Sequence, residues 1–162
     1  MDKTSVTTLN NRQDCYDAVE RLIGSAQQHI AIFSQQLEPL LYNHQSICDA
    51  ISHLARKNRH STTRIIALQT QTIAADGHCL VNLAQRLSSS IQIRVPNSDE
   101  LQRFAESWLI ADNHSICQIN NPERYQGSLI ENNRIHVKTQ LEFFNQAWEN
   151  SQPDQNTRRL HL

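Results

Sequence analysis

Helix-like and strand-like segments alternate along the first 95 residues of the chain, and this order constrains the fold more than any other feature. Apolar residues at helical spacing mark three segments, one from about 12 to 26, one around 47–55 and one that follows Gly77. Each is followed by a short apolar or alternating run, and these runs are His29–Ser34, Arg64–Leu68 and Ile91–Val95. The alternation predicts an α/β layered fold with a largely parallel sheet.

The pattern changes after Pro96. Residues 107–111 and 115–119 are typical of two antiparallel strands, because Asp112-Asn113-His114 between them supplies turn residues. A polar loop from about 120 to 131 leads to a last helix that starts near Asn132 or Asn133 and carries a broad apolar stripe. We therefore predict a mixed central sheet flanked by helices, with Trp108–Ala111 as an internal strand paired with the next one.

The length and charge of the chain limit its organisation and its partners. With 162 residues the chain fits one domain, which we place at 11–162 after a flexible N-terminus at 1–10. A formal net charge of −1 gives no general attraction to nucleic acid or to an anionic membrane surface.

The N-terminal and cysteine patterns predict a cytoplasmic protein. The first residues are polar, unlike a secretory signal, and no apolar run reaches the roughly 20 residues that a bilayer requires, so no membrane insertion is expected. The four cysteines form no CxxC pair, so we expect reduced, mostly buried thiols rather than a disulfide framework. His44 and Cys48 are spaced like two metal ligands, but no second pair completes a site, and Cys48 is interpreted as a core thiol. A nucleophilic pair of Cys79 with a distant histidine stays open, although nothing in the sequence singles it out.

The order of these segments and several short motifs resemble one half of a phospholipase D-type enzyme, over roughly residues 14–162. The motifs resemble an uncharacterised bacterial branch of that superfamily, in which the domain can follow an acetyltransferase domain. They are DGHCL at 76–80, LAQRLSS at 83–89, IQIR at 91–94, FNQAWENS at 144–151 and RRLHL at 158–162. The resemblance implies the phospholipase D-like single-half fold.

Active members use the motif HxKxxxxD, in which His attacks phosphorus, Lys neutralises the phosphoryl oxygens and Asp orients the His. When the motif's Asp is placed on Asp112, Ala105 occupies the His position and Ser107 the Lys position. Neither side chain can do that chemistry, so the resemblance implies a degenerate, non-catalytic domain. His136-Val137-Lys138 is a literal HxK, but Phe143 stands where the Asp is required, and the segment lies at the start of a predicted helix.

Four residues are candidates for ligand binding: His78, Arg86, Arg94 and Asp112. His78 follows Gly77 at the start of a predicted helix, where backbone N–H groups favour anions, and the two arginines add positive charge nearby. The alternative is that His78 caps the helix and the arginines pair with surface carboxylates.

The leading hypothesis is a pseudoenzyme that serves as a binding or interaction module. A residual phosphodiesterase or nuclease and a nucleic-acid-binding domain remain as alternatives, and a phosphate-containing ligand stays possible. No cofactor or metal is expected. Because single-half members of this superfamily meet across a two-fold axis, we expect a homodimer with the Ala105–Asp112 region near its interface.

Overall fold

A computed structural model describes residues 3–75 and 77–157 of the chain. Its centre is one mixed eight-stranded sheet with the strand order β1-β7-β6-β5-β2-β3-β4-β8. The strands are β1 (Ser5–Leu9), β2 (His29–Ser34), β3 (Thr62–Ala67), β4 (Ile91–Pro96), β5 (Ser107–Ala111), β6 (Ser115–Asn121), β7 (Gln126–Glu131) and β8 (Ser151–Pro153). The predicted mixed sheet is confirmed.

Helices flank this sheet on both faces. They are α1 (Arg12–Ser25), α2 (Pro39–Tyr42), α3 (Gln45–Lys57), α4 (Thr70–Ala75), α5 (Cys79–Arg86) and α6 (Arg134–Glu149), with a 3₁₀ turn at Leu101–Arg103. Buried residues of α1, α3 and α5 form one hydrophobic core with one face of the sheet. The opposite face packs against α6 through Val137, Phe144 and Ala147. The apolar stripe predicted for the last helix is therefore core.

The parallel part of the sheet consists of β2, β3 and β4, and β5 lies on the other side of β2. In β2, Ile32 pairs with Ile65 of β3 and with Leu109 of β5, in parallel and antiparallel register respectively. Strand β5 also pairs with β6, so its predicted internal position is confirmed. Burial on both faces explains why β2 and β5 are almost continuously apolar.

Strand β1 lies inside residues 1–10, for which the sequence predicts a flexible N-terminus. It pairs antiparallel with β7 from Ser5↔Glu131 to Leu9↔Gly127, which corrects that expectation for these residues. Of the five residues, Leu9 alone is buried, so the strand has no apolar face that its sequence could reveal.

The residues of strand β7 likewise fall in the segment for which the sequence predicts a polar loop. Gly127 makes its pairing with β6 possible, because a Cβ atom there would lie 1.9 Å from the carbonyl oxygen of Gln118. Glycine in a strand interior often marks such a close backbone approach. This glycine is the signal from which the strand could have been inferred.

Candidate functional site

A small cleft opens where β2 ends and β5 begins. Its volume is about 190 Å³, and its floor includes Ser34, the last residue of β2, and Ser107, the first residue of β5. Ligand sites in open α/β sheets commonly lie at the carboxyl ends of parallel strands, as this cleft does. The cleft is lined by Ser34, Gln35, Gln36, Glu38, Leu41, Ala105, Ser107, Ile119, Pro122, Glu123 and Tyr125.

Ala105 and Ser107, which the resemblance places at the His and Lys positions of the motif, both line this cleft. Ala105 and Ser107 contribute a methyl group and a hydroxyl where the resemblance requires an imidazole and an ammonium group. The lining contains no lysine, arginine or histidine, whereas Glu38 and Glu123 contribute two carboxylates. A phosphoryl group needs cationic or N–H donors, so the side chains of this cleft are poorly suited to bind one.

The loop between β2 and α2 forms one wall of the cleft, and two of the hydrogen bonds that hold it are made by Leu37. The Ser34 hydroxyl oxygen accepts from the backbone N–H of Leu37 at 2.9 Å. Leu37 is buried and has a φ of 50°, which is unusual for a residue other than glycine. Its carbonyl oxygen accepts from Nε2 of His78 at 2.9 Å. His78 therefore supports the cleft wall from behind and does not line the cleft.

His78 is a buried helix cap. Its Nδ1 accepts from the backbone N–H of Leu80 at 3.1 Å while Nε2–H donates to Leu37, an arrangement that requires the neutral ring. Burial lowers the pKa of His78, and the hydrogen bond to the Leu37 carbonyl raises it by a smaller amount. The capping alternative for His78 is the one that the geometry supports.

The first turn of α5 has no N–H group left for an anion. Cys79 N–H donates to the side-chain oxygen of Asn43, and Leu80 N–H donates to His78. The N–H groups of Val81 and Asn82 both donate to the carbonyl oxygen of His78. The anion site predicted at this helix start is therefore filled by the protein's own groups.

Arg86 and Arg94 both line a different groove, of about 740 Å³, at the edge of the sheet between α5, β4 and residues 153–157, Arg86 from α5 on one face and Arg94 from the face covered by α6. Arg94 stacks over the Trp148 ring at 4.3 Å, and its Nη1 donates to the Trp148 carbonyl at 3.1 Å. Arg64 stacks over Phe144 at 5.0 Å. Burial and the neighbouring charge of Arg94 lower the pKa of Arg64. Among the described residues, Arg64, Arg86 and Arg94 have no carboxylate partner, contrary to the ion pairs that the sequence suggested for Arg86 and Arg94.

Asp112 is far from the cleft and has a structural role. Its carboxylate accepts from the backbone N–H groups of Gln27, Gln28 and His29 at 2.8 to 2.9 Å. Asp112 follows the last residue of β5, whereas Ser107, which lines the cleft, is its first residue, and five steps of about 3.3 Å put the two about 17 Å apart. Of the four predicted binding residues, Arg86 and Arg94 thus line one groove from the two faces of the sheet, whereas His78 and Asp112 lie elsewhere.

The literal HxK at His136 lies on the solvent-exposed side of α6. His136 and Lys138 are exposed, and Lys138 pairs with Glu142 on the same helix at 4.0 Å. Neither residue lines the cleft, so the interpretation of this motif as a coincidence agrees with its position.

Two of the four cysteines are joined, which overturns the expectation of reduced thiols. Cys48 of α3 and Cys79 of α5 form a disulfide. The bond also removes Cys48 as a core thiol or metal ligand, and Cys79 as a nucleophile. The sequence could not reveal this pair, because it depends on the packing of α3 against α5.

The other two cysteines are buried free thiols. Burial raises the pKa of Cys15 to about 11, helped by the nearby Asp14, and burial also raises the pKa of Cys117. A thiol with a raised pKa is a poor nucleophile at neutral pH.

Within the described ranges, no three His, Cys, Asp or Glu side chains are placed to share a metal ion. No helix there is long and apolar enough to cross a bilayer. Asp76 and the tail at 158–162, which contributed to the resemblance, lie outside the described residues.

Residues 11–160 match a protein family described as a domain of unknown function, DUF7931. The chain belongs to this family. A search among curated proteins finds no match.

Solved structures show that this DUF7931 chain has a phospholipase D-like fold. It is similar to Nuc from Salmonella typhimurium, a phospholipase D family member, with a TM-score of 0.65 and 17% identity. The match covers 97% of this chain and 100% of Nuc. It is also similar to the phosphatidylserine synthase of Haemophilus influenzae, with a TM-score of 0.61 and 15% identity, over 95% of this chain and 40% of that one.

TrmBL2, an archaeal chromatin protein reported to show a novel mode of DNA binding, has the same fold. The TM-score is 0.65 at 14% identity, over 95% of this chain. This chain spans 55% of the length of that protein.

Proposed function

We propose that this domain is a non-catalytic phospholipase D-like module that binds a partner through the cleft at Ala105 and Ser107. The observation that carries the proposal is the chemistry of the lining, which has lost the nucleophile and the cation at the motif positions. What remains is two carboxylates, two amides and several hydroxyls around apolar Leu41, Ile119 and Pro122. Such groups can hold a ligand, but they cannot attack phosphorus or stabilise its transition state.

The size and the charge of the cleft support one ligand class, a cationic side chain of a partner protein. Pockets for drug-sized ligands measure about 300–1,000 Å³, whereas this cleft holds about 190 Å³. It therefore fits one protruding side chain. Glu38 and Glu123 have no cationic partner within ion-pair distance among the described residues, so an arginine or lysine side chain of a partner protein is complementary.

A titration followed by ¹⁵N–¹H NMR tests this proposal. N-acetylarginine amide should shift the backbone signals of Gln35, Ala105 and Ser107 saturably, whereas inorganic phosphate should leave them in place. A Glu38→Gln/Glu123→Gln variant should weaken the effect, and Glu142→Gln on α6 is the matched control. Shifts at these residues caused by phosphate, or none caused by the arginine probe, would overturn the proposed ligand class.

Nucleic acid is the second candidate, and a different surface favours it. Arg86 and Arg94 line one groove, and Arg64 lies beside Arg94 with no carboxylate partner among the described residues. Phosphate-containing ligands would bind here and not at the cleft. Fluorescence anisotropy with a labelled DNA duplex tests this candidate. If the domain binds nucleic acid, added salt and the Arg86→Glu variant should both weaken DNA binding, whereas Arg134→Glu should not. If the anisotropy does not rise at any protein concentration, the nucleic-acid candidate is wrong.

A homodimeric state completes the proposal, and the cytoplasmic location expected from the sequence holds only if Cys48 and Cys79 are reduced in cells. The Cys48–Cys79 disulfide argues against the cytoplasm, because disulfides persist mainly in oxidising compartments. The redox state of these two cysteines in cells decides the location. The homodimer rests on the two-fold association expected of single-half phospholipase D-like domains.

A further inference from the structure

The two edges of the sheet differ in how well they are protected. One edge is β8, which has three residues and ends at Pro153, and proline has no N–H to offer a further strand. The other edge is β1, with five residues. Among the described residues, no strand pairs with its outer side.

Strand β1 lacks the features by which proteins usually block an edge. Its sequence is Ser-Val-Thr-Thr-Leu, with no charge, no proline and a high content of β-branched residues. Val6 is 67% exposed and lies on the face of the sheet that also carries Ile130, its partner in β7. An edge of this kind presents unpaired N–H and C=O groups to another strand.

We propose that β1 is a homodimer interface in which the β1 strands of two copies pair antiparallel about a two-fold axis at Thr7. This inference specifies the homodimer proposed above and gives it an interface other than the Ala105–Asp112 region. In that region Trp108, Leu109, Ile110 and Ala111 are buried inside the monomer, which leaves only Ala105, Glu106, Ser107 and Asp112 with surface that a second copy can contact.

The sequence of β1 is complementary to itself in this arrangement. With the axis at Thr7, each of the five residues pairs with a residue of the second copy. Thr7 pairs with Thr7 of the second copy, and Val6 pairs with Thr8 of the second copy. Thr–Thr and β-branched cross-strand pairs are favourable, and no like charges oppose each other. The contact is small compared with the roughly 1,200–2,000 Å² of a stable interface, so the dimer is expected to depend on protein concentration.

Cysteine cross-linking tests the register. In the proposed pairing the two Cα atoms at position 7 lie about 4.5–5.5 Å apart, within reach of a disulfide. The two at position 5 lie about 14 Å apart along the strands. Thr7→Cys should therefore form a covalent dimer under mild oxidation, and Ser5→Cys, the matched control on the same strand, should not. Equal yields, or no dimer from Thr7→Cys, would overturn the proposal.

Sedimentation tests the surface without a cross-link. Val6→Lys places two lysines diagonally across the axis and should weaken the dimer about fivefold, while the melting temperature stays the same because Val6 is exposed. An equimolar mixture of Val6→Lys and Val6→Glu should restore association. If Val6→Lys sediments as the unchanged protein does, the β1 interface is wrong, although a dimer through another surface and the binding cleft would both stand. If the β1 strands of two copies pair but N-acetylarginine amide does not bind, the ligand class proposed for the cleft is wrong and the β1 interface stands.

Discussion

Nε2 of His78 donates to the carbonyl oxygen of Leu37 at 2.9 Å, and this contact links the start of α5 to the wall of the cleft. Leu37 is held in a left-handed backbone conformation, and Ser34 fixes the other side of the same loop. A residue predicted to bind a ligand thus acts as a positioning residue for the loop that carries Gln35, Gln36 and Glu38.

The first prediction concerns pH. Burial lowers the pKa of His78 in the folded state below the value of about 6.5 of an unfolded chain. The unfolded state therefore takes up the proton first as the pH falls. The stabilisation is complete above about pH 6.5 and is lost progressively below it, down to the folded-state pKa.

Urea unfolding at pH 7.5, 6.5 and 5.5 measures this effect. In His78→Asn, which keeps a capping oxygen, the free energy of unfolding should fall less steeply with decreasing pH. In the control variant His136→Ala, which changes an exposed residue, the free energy of unfolding should depend on pH as it does in the unchanged protein. Identical pH profiles for all three proteins would show that His78 is not held neutral.

The second prediction concerns Asp112. Asp112→Ala removes the acceptor for three backbone N–H groups and should lower the free energy of unfolding by about 2–3 kcal/mol. Asp112→Asn keeps one acceptor oxygen and tolerates the φ of 52°, so its cost should be about 1 kcal/mol. Chemical denaturation gives both values, with the exposed Asp49→Ala as control. A cost for Asp112→Ala no larger than that of the control would contradict the role of Asp112 as a structural anchor.

The third prediction concerns the Cys48–Cys79 disulfide. Reduction should lower the free energy of unfolding by about 2–4 kcal/mol, the usual effect of a disulfide that closes a loop of this length. Denaturation with and without dithiothreitol measures the loss. The double variant Cys48→Ser/Cys79→Ser should start from the lower stability and not respond to the reductant. A reductant effect of equal size in the double variant would assign it to another cause.

The sequence predicted those parts of the fold in which local pattern and burial agree. Strands β2, β3 and β4 are apolar or alternating and follow amphipathic helices, so their type and order could be inferred. Strand β1 could not, because four of its five residues are exposed and its pairing with β7 joins positions more than 110 residues apart. The Cys48–Cys79 disulfide could not be predicted for the same reason, because it depends on the packing of two helices.

The candidate site was predicted in part. Aligning the motif on Asp112 led to Ala105 and Ser107, and both line the cleft. The residues that give the cleft its character, Gln35, Gln36 and Glu38, follow β2 and are separated from the motif by about 70 residues. Because β2 ends beside the start of β5, the residues that follow β2 could have been predicted to lie near the motif. Which of their side chains line the cleft depends on the conformation of the loop that Ser34 and His78 hold.

Hydrolysis of bis(p-nitrophenyl) phosphate by the purified protein tests the proposed absence of catalysis most directly. We expect release of p-nitrophenolate at the rate of the buffer blank, for the unchanged protein and for His78→Ala and His136→Ala alike, because the cleft has neither a nucleophile nor a cation at the motif positions. Turnover above the blank that survives repeated purification and disappears in either histidine variant would contradict the account.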